Sequence, residues 1–172
     1  MPRYVAFLRG VSPLNAKMPE LKRCFEEAGF ENVKTILGSG NVVFDTDLCS
    51  DIEVERRAEL AMEKGLDRVF RTIARSVASL EQLLATDPYT EHGIPPEAKR
   101  VVSFLREERA PKRVLPLAAD HASVFLQRGR EIHSAYVPNP KNGPVFMKLI
   151  EDAFGKDITT RTWDTIRKCA AA

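Results

Sequence analysis

Leu37-Gly38-Ser39-Gly40-Asn41-Val42-Val43-Phe44 joins a polar turn to an apolar, β-branched run. Two glycines around a serine permit backbone conformations that other residues avoid, so the chain can reverse direction there. The residues on both sides, 33–37 and 41–45, are short and rich in β-branched side chains. They predict two strands that form a hairpin or a bent pair around the turn.

The segments on either side of this pair alternate between strand and helix patterns. Tyr4–Leu8 is an apolar run typical of a buried strand, and apolar residues at helical spacing between Pro19 and Gly29 predict a helix. A second helix is predicted to end near Lys64, followed by a strand over 68–74. The resulting order, β-α-β-β-α-β, is that of a ferredoxin-like split βαβ unit.

The second half of the chain predicts a similar order. Helices are expected over 77–85, 111–119, 144–154 and 163–169, strands over 100–106, 123–127, 131–137 and 158–160, and a loop over 138–143. We therefore predict an α+β protein with two ferredoxin-like (βαββαβ) subdomains, an internal structural duplication, and a C-terminal helix. The predicted division is 1–86 for the first subdomain, 87–98 for a linker loop and 99–172 for the second. Element order alone supports the duplication.

The composition indicates the class of protein but gives little information about its activity. The 172 residues are 44% hydrophobic, enough for a core, and 26 basic against 24 acidic side chains give no overall drive toward DNA or membranes. Residues 1–92 carry 12 basic and 15 acidic side chains, whereas residues 93–172 carry 14 and 9, so a modest basic face is expected in the second half. Three widely separated cysteines argue against a disulfide framework or a zinc site. With no apolar run long enough for a membrane span, we expect a cytoplasmic protein.

Several motifs together resemble one protein family. They are Tyr4-Val5-Ala6-Phe7-Leu8-Arg9-Gly10-Val11, Lys17-Met18-Pro19-Glu20-Leu21, Ser39-Gly40-Asn41-Val42-Val43-Phe44 and Thr160-Arg161-Thr162-Trp163-Asp164-Thr165. Their order and separation resemble the bacterial family known as domain of unknown function 1697. The resemblance implies an α+β fold with two ferredoxin-like subdomains and no established activity. Family members often have Gly-Ile-Asn-Val-Gly-Gly after the first strand. The corresponding loop, 10–16, lacks the glycine pair, so a phosphate cradle of backbone N–H groups is not carried over.

The turn 38–41 has two interpretations. In the first, its N–H groups and the Ser39 hydroxyl hold an anion or a carbonyl oxygen, and Asn41 adds a side-chain donor and acceptor. In the second, the turn only reverses the chain as a bulge or hairpin. A nucleophilic Ser39 is not expected, because the sequence has no G-x-S-x-G elbow and no base at a diagnostic spacing.

Basic residues supply the other candidates. Arg9 and Lys17 flank the first loop. In one interpretation they bind a phosphate or carboxylate ligand together. In the other, Arg9 pairs with a neighbouring carboxylate of the protein. Arg161, Thr165 and Lys168 are spaced i, i+4 and i+7, which predicts one face of a helix beginning nearby. In one interpretation, this helix face binds an anionic ligand, or it binds nucleic-acid phosphates while Trp163 stacks on a base. Alternatively, Trp163 anchors the core and the late basic residues complement the helix dipole.

The leading functional hypothesis is binding of a small anionic ligand, a phosphate, nucleotide or carboxylate, in a cleft between the subdomains, with catalysis left open. One wall would be formed by Arg9, Lys17, Ser39, Gly40 and Asn41, and the other by Arg161, Thr165 and Lys168. The alternatives are a nucleic-acid-binding module and a protein-interaction or oligomer scaffold without catalysis. No cofactor, metal or membrane partner is predicted, and the three histidines lack metal-ligand spacing. The oligomeric state is left open.

Overall fold

The structure is a computed structural model that describes residues 1–119, 121–138 and 145–172. These residues form an α+β protein with two antiparallel sheets and six helical segments. The chain divides into two compact units, Met1–Ala85 with Ile166–Ala172, and Thr86–Thr165. Residues 87–98, predicted as a linker, fall within the second unit, and residues 166–172, predicted within the second subdomain, fall within the first unit.

The first unit follows the predicted element order from its first strand to its fourth. Its elements are β1 (Arg3–Leu8), α1 (Met18–Glu27), β2 (Glu31–Ile36), β3 (Asn41–Asp45), α2 (Asp51–Gly65), β4 (Thr72–Ser76) and α3 (Val77–Leu84). The sheet order is β2-β3-β1-β4, and every neighbouring pair is antiparallel. Because β1 lies between β3 and β4, Phe7 is opposite both Asn41 and Ile73.

Helices α1 and α2 cover one face of this sheet. Apolar residues at helical spacing, such as Leu21 and Phe25 on α1, meet every second residue of β1 and β3 in one buried cluster. The ring centroids of Phe30 and Phe44 lie 4.2 Å apart within this cluster. The Ser50 hydroxyl accepts a hydrogen bond from the Glu53 N–H at 3.2 Å and so caps α2. In this unit, the apolar spacing and the capping residue found in the sequence therefore agree with the burial and the hydrogen bonds of the structure.

The second unit contains a five-stranded sheet. Its strands are β5 (Lys99–Leu105), β6 (Leu117–Ala119), β7 (Ala122–Arg128), β8 (Glu131–Tyr136) and β9 (Ile158–Thr162), in the order β6-β7-β8-β5-β9. The helices are α4 (Pro88–Glu91), α5 (Val145–Phe154) and α6 (Trp163–Ala171), the last of which continues into the residues of the first unit. Phe146, Ile150 and Phe154 on α5 are buried against one face of the sheet.

One sequence prediction in this unit needs correction. The helix predicted over 111–119 is wrong, since residues 117–119 form β6 and pair with β7. Pro116 explains the difference, because proline disfavours the helical conformation of the preceding residue and has no N–H to donate. The predicted linker also contains the short helix α4. The predicted loop 138–143 falls, apart from Pro138, outside the described residues, as does Pro144 at the start of the predicted helix 144–154.

Candidate functional site

Three loops of the first unit meet at one end of its sheet. They are residues 9–17, 37–40 and 66–71, and we call them the loop end. The Leu8 N–H donates to the Gly40 carbonyl oxygen at 2.8 Å, and the Arg9 N–H donates to the Arg71 carbonyl oxygen at 2.9 Å. These two hydrogen bonds place the end of β1 between the other two loops. The loop end therefore contains Arg9, Lys17, Ser39 and Gly40, four of the predicted site residues.

The turn 37–40 packs directly on loop 9–17. Gly40 has a φ of +88°, and a Cβ atom added there would lie 2.9 Å from the Val11 Cβ and 3.0 Å from the Leu8 Cβ. A Cβ atom on Gly38 would lie 4.0 Å from the Pro13 Cγ. Only glycine accommodates both the conformation and the contact at position 40. The second glycine of the motif is thus required by packing.

Asn41 serves the turn itself. The side chain is fully buried, and its Nδ2 donates to the Ile36 carbonyl oxygen at 2.9 Å and to the Ser39 Oγ at 3.1 Å. These two acceptors use both hydrogens of the amide nitrogen. Ser39 is exposed at the tip of the turn. Of the two sequence interpretations, the structure therefore gives Asn41 a structural role and leaves the Ser39 side chain accessible.

Loop 9–17 is held by its own side chains. The Ser12 N–H donates to the Asn15 Oδ1 at 2.9 Å, and the Asn15 Nδ2 donates to the Gly10 carbonyl oxygen at 2.8 Å. The loop ends at Lys17, the N-cap residue of α1, whose side chain makes no capping hydrogen bond. Lys17 is exposed and Arg9 is half-buried. Two cations therefore lie on an ordered loop next to the N-terminus of a helix.

The other predicted group is not one helix face. Arg161 lies on strand β9, opposite Val102, and α6 begins only at Trp163. The Thr162 hydroxyl accepts from the Thr165 N–H at 3.2 Å and donates to the Thr165 Oγ at 3.0 Å, so Thr165 takes part in the helix cap. Lys168 is exposed on α6 and belongs to the first unit, whereas Arg161 and Thr165 belong to the second. The prediction of one helix face from the i, i+4, i+7 spacing is wrong because strand β9 continues to Thr162.

Trp163 packs in an aromatic cluster of the second unit. Its ring is half-buried and meets Tyr89 edge to face, with ring centroids 5.3 Å apart. Tyr89 is fully buried and donates its hydroxyl to the Val101 carbonyl oxygen at 2.7 Å, and burial raises the pKa of this hydroxyl. The structure thus favours the core-anchor interpretation of Trp163 over stacking on a base.

Sequence reasoning missed a buried histidine in the same cluster. His133 on β8 is fully buried, with its Nδ1 3.4 Å from the Tyr89 hydroxyl oxygen, while its Nε2 has no hydrogen-bond partner. Burial, followed by the charges of Arg128 and His92, lowers the pKa of His133 to about 4. The ring is therefore neutral at neutral pH. A histidine within the β-type segment 131–137 was the only signal in the sequence.

Neither a metal centre nor a membrane span emerges in the described part of the chain. No three His, Cys, Asp or Glu side chains there are arranged to hold a metal ion. None of the helices in residues 1–119, 121–138 and 145–172 is long and apolar enough to cross a membrane.

Comparison with known proteins gives a family and a fold. A family model described as "Protein of unknown function (DUF1697)" matches residues 1–132, so the motif at 160–165 lies beyond the matched region. A similar solved structure is that of the conserved bacterial protein SP0830 from Streptococcus pneumoniae, with a TM-score of 0.73 and 18% sequence identity. The alignment covers 99% of this chain and 97% of that chain, and at this identity the likeness concerns the fold alone. The comparison with curated proteins gives no match.

Proposed function

The chain belongs to the DUF1697 family of proteins of unknown function, and from its own residues we propose that the first unit binds a small anionic ligand at the loop end. The ligand class is a phosphate or a carboxylate. The residues proposed to contact it are Arg9, Lys17 and Ser39. The proposal does not use Arg161, Thr165 or Lys168, and it does not require catalysis.

One observation supports this proposal above the others. The glycine-paired turn packs on loop 9–17, with Gly40 against Val11 and Leu8, so an exposed hydroxyl and two cations share one end of the sheet. Loops that carry polar side chains at the end of a rigid sheet are a usual setting of a binding site. Asn41 fixes the turn from inside, and its Nδ2 donates to the Ser39 Oγ at 3.1 Å, which orients the serine hydroxyl at the exposed tip of the turn.

The chemistry of these groups favours an anion. Guanidinium and ammonium groups form charge-assisted hydrogen bonds with phosphate and carboxylate oxygens, and a serine hydroxyl adds a neutral donor. The first turn of α1 adds backbone N–H groups that the side chain of the N-cap residue Lys17 does not cap. Pro19 in that turn has no N–H, so Met18 and Glu20 supply these donors.

Calorimetric titration of the full chain with inorganic phosphate and with acetate tests the proposal. We expect saturable binding that falls at least tenfold in Lys17→Ala. The matched control is Lys148→Ala, which removes an exposed lysine from α5 in the second unit and should leave binding unchanged. Equal binding by the two variants, or no binding of either anion to the wild type, would refute the proposal.

We also infer that the two sheets form a duplicated ferredoxin-like architecture. Strand order supports this inference: the first sheet runs β2-β3-β1-β4, and four strands of the second run β7-β8-β5-β9. Numbered within each unit, both orders read 2-3-1-4, and β6 is an additional edge strand next to β7. An irregular segment and β6 replace the first helix of the second unit. An experimental structure in which β1 to β4 superpose on β5, β7, β8 and β9 in that order would support the duplication.

A further inference from the structure

We propose that the loop end is a docking surface for a protein partner that presents acidic side chains around an apolar recess. The inference rests on the proposed function, because carboxylates of the partner would occupy the anion site formed by Arg9, Lys17 and Ser39. It goes beyond that function by naming the source of the anion and by adding an apolar contact.

Leu14 is the most exposed large apolar side chain of the loop end. It is 98% exposed, although water disfavours an apolar surface of this size. The loop that carries it is fixed from within, since the Leu14 N–H donates to the Ser12 Oγ at 3.3 Å and Asn15 closes the loop onto Gly10. Leu14 is therefore presented by an ordered loop, which lowers the entropy that a partner must remove on binding.

Two further apolar side chains extend from the other two loops. Leu37 is 50% exposed and has a φ of +60°, a conformation that a leucine adopts only with strain. Val69 is 46% exposed on the loop before β4. Hence each of the three loops that meet at this end of the sheet contributes one exposed apolar side chain.

Charge is also concentrated at the loop end. Its residues include four basic side chains, Arg9, Lys17, Arg68 and Arg71, and one acidic side chain, Asp67. The rest of the first unit carries ten basic and twelve acidic side chains. Glu59 offsets part of this charge through its contact with Arg71 at 3.9 Å. The loop end is thus a positive region on a unit that is otherwise slightly negative, and it complements an acidic partner.

The protruding Leu14 side chain favours a protein as the carrier of the anionic group. Small ligands bind in concave sites that enclose most of their surface, whereas a side chain that is 98% exposed protrudes and is covered only by a surface larger than itself. A partner pocket that receives Leu14, with carboxylates at its rim to meet Lys17 and Arg9, fits both the shape and the charge. Interfaces of this kind depend on a few anchoring side chains in pockets.

Affinity capture with the full chain as bait tests the proposal. Wild type, Leu14→Ser and Lys17→Glu are compared on an extract of the organism that encodes the protein. The matched controls are Leu60→Ser, which changes a leucine on α2 that is 54% exposed, and Lys148→Glu. We expect at least one protein that is captured equally by wild type and both controls. Its capture should fall at least tenfold with Leu14→Ser and with Lys17→Glu, and it should weaken as salt is raised from 0.05 to 0.5 M.

The outcomes separate this inference from the proposed function. Identical capture by Leu14→Ser and Leu60→Ser overturns the docking surface, even when phosphate and acetate still bind. If capture of a protein is lost selectively with Leu14→Ser and Lys17→Glu but neither free anion binds measurably, the docking surface is supported and the small-anion proposal is overturned. If light scattering shows self-association that Leu14→Ser abolishes, the occupant of the surface is a second copy of the chain. If the protein sediments with phosphatidylglycerol vesicles and Leu14→Ser abolishes this sedimentation, the occupant is a membrane. Each of these two results overturns the protein-partner assignment. Circular dichroism of each variant verifies folding.

Discussion

Replacing Gly40 with alanine tests the packing that defines the loop end. The new Cβ would sit in the left-handed region at a φ of +88° and 2.9 to 3.0 Å from the Val11 and Leu8 side chains. The left-handed conformation costs about 1–2 kcal/mol for alanine, and forcing a methyl group into a packed contact adds about 1–3 kcal/mol. Reduced freedom of the unfolded chain returns about 0.4–1 kcal/mol. We therefore expect Gly40→Ala to lower the free energy of unfolding by about 2–4 kcal/mol.

Gly10→Ala is the matched control for this prediction. Gly10 has a φ of +82°, yet an added Cβ atom would have no neighbour within 4 Å. This variant has the conformational cost but not the steric contact, so we expect the free energy of unfolding to fall by about 1.6 kcal/mol or less. Equilibrium urea unfolding followed by far-ultraviolet circular dichroism measures both variants. If Gly40→Ala is no more destabilising than Gly10→Ala, the turn does not pack on loop 9–17 in the way described.

Three further variants test hydrogen-bonded or buried polar groups, of which Asn41 and His133 are fully buried and Asp45 is half-buried. Asn41→Ala leaves the Ile36 carbonyl without its donor and should lower the free energy of unfolding by about 1–3 kcal/mol in the same urea assay; a change near zero would contradict the role of Asn41 in the turn. Burial holds the pKa of His133 at about 4, so the unfolded chain takes up a proton between pH 6.5 and 4 and stability falls over that range as the solution is acidified. His133→Leu should flatten this slope, and an unchanged slope would refute the assignment. Hydrogen bonds from Asn32 and Arg3 hold the pKa of Asp45 below its ordinary 3.8, so its stabilisation is complete above that pH and is lost on further acidification. Asp45→Asn should reduce the loss of stability below pH 4, and a steeper loss would count against these contacts.

The elements that sequence predicted correctly are those with strong local signals. The apolar run 4–8 lies within β1, and the helical spacing between Pro19 and Gly29 corresponds to α1, which ends before a glycine with a φ of +93°. The hairpin around 129 likewise corresponds to β7 and β8. In each case neighbours in the sequence impose the conformation, through side-chain period or through a glycine that permits a positive φ.

The errors arose where pairing with another strand decides the conformation. Residues 117–119 form a strand because β7 offers a pairing edge, although their composition also suits a helix. Strand β9 extends to Thr162 because β5 pairs with it that far, and this register removed Arg161 from the predicted helix face. Pairing partners of this kind cannot be identified from one segment alone.

Sequence by itself determined the α+β class, the position of the glycine-paired turn and the family. Tertiary structure decided what each residue of that turn does. Gly40 is required by Val11 and Leu8, and Asn41 is turned inward to the Ile36 carbonyl. Ser39 lies at the exposed tip of the turn, and Leu37 is exposed beside it. The physical reason is that glycine, serine and asparagine favour turns through backbone freedom and short polar side chains, whereas the direction in which those side chains point depends on the loops packed against them.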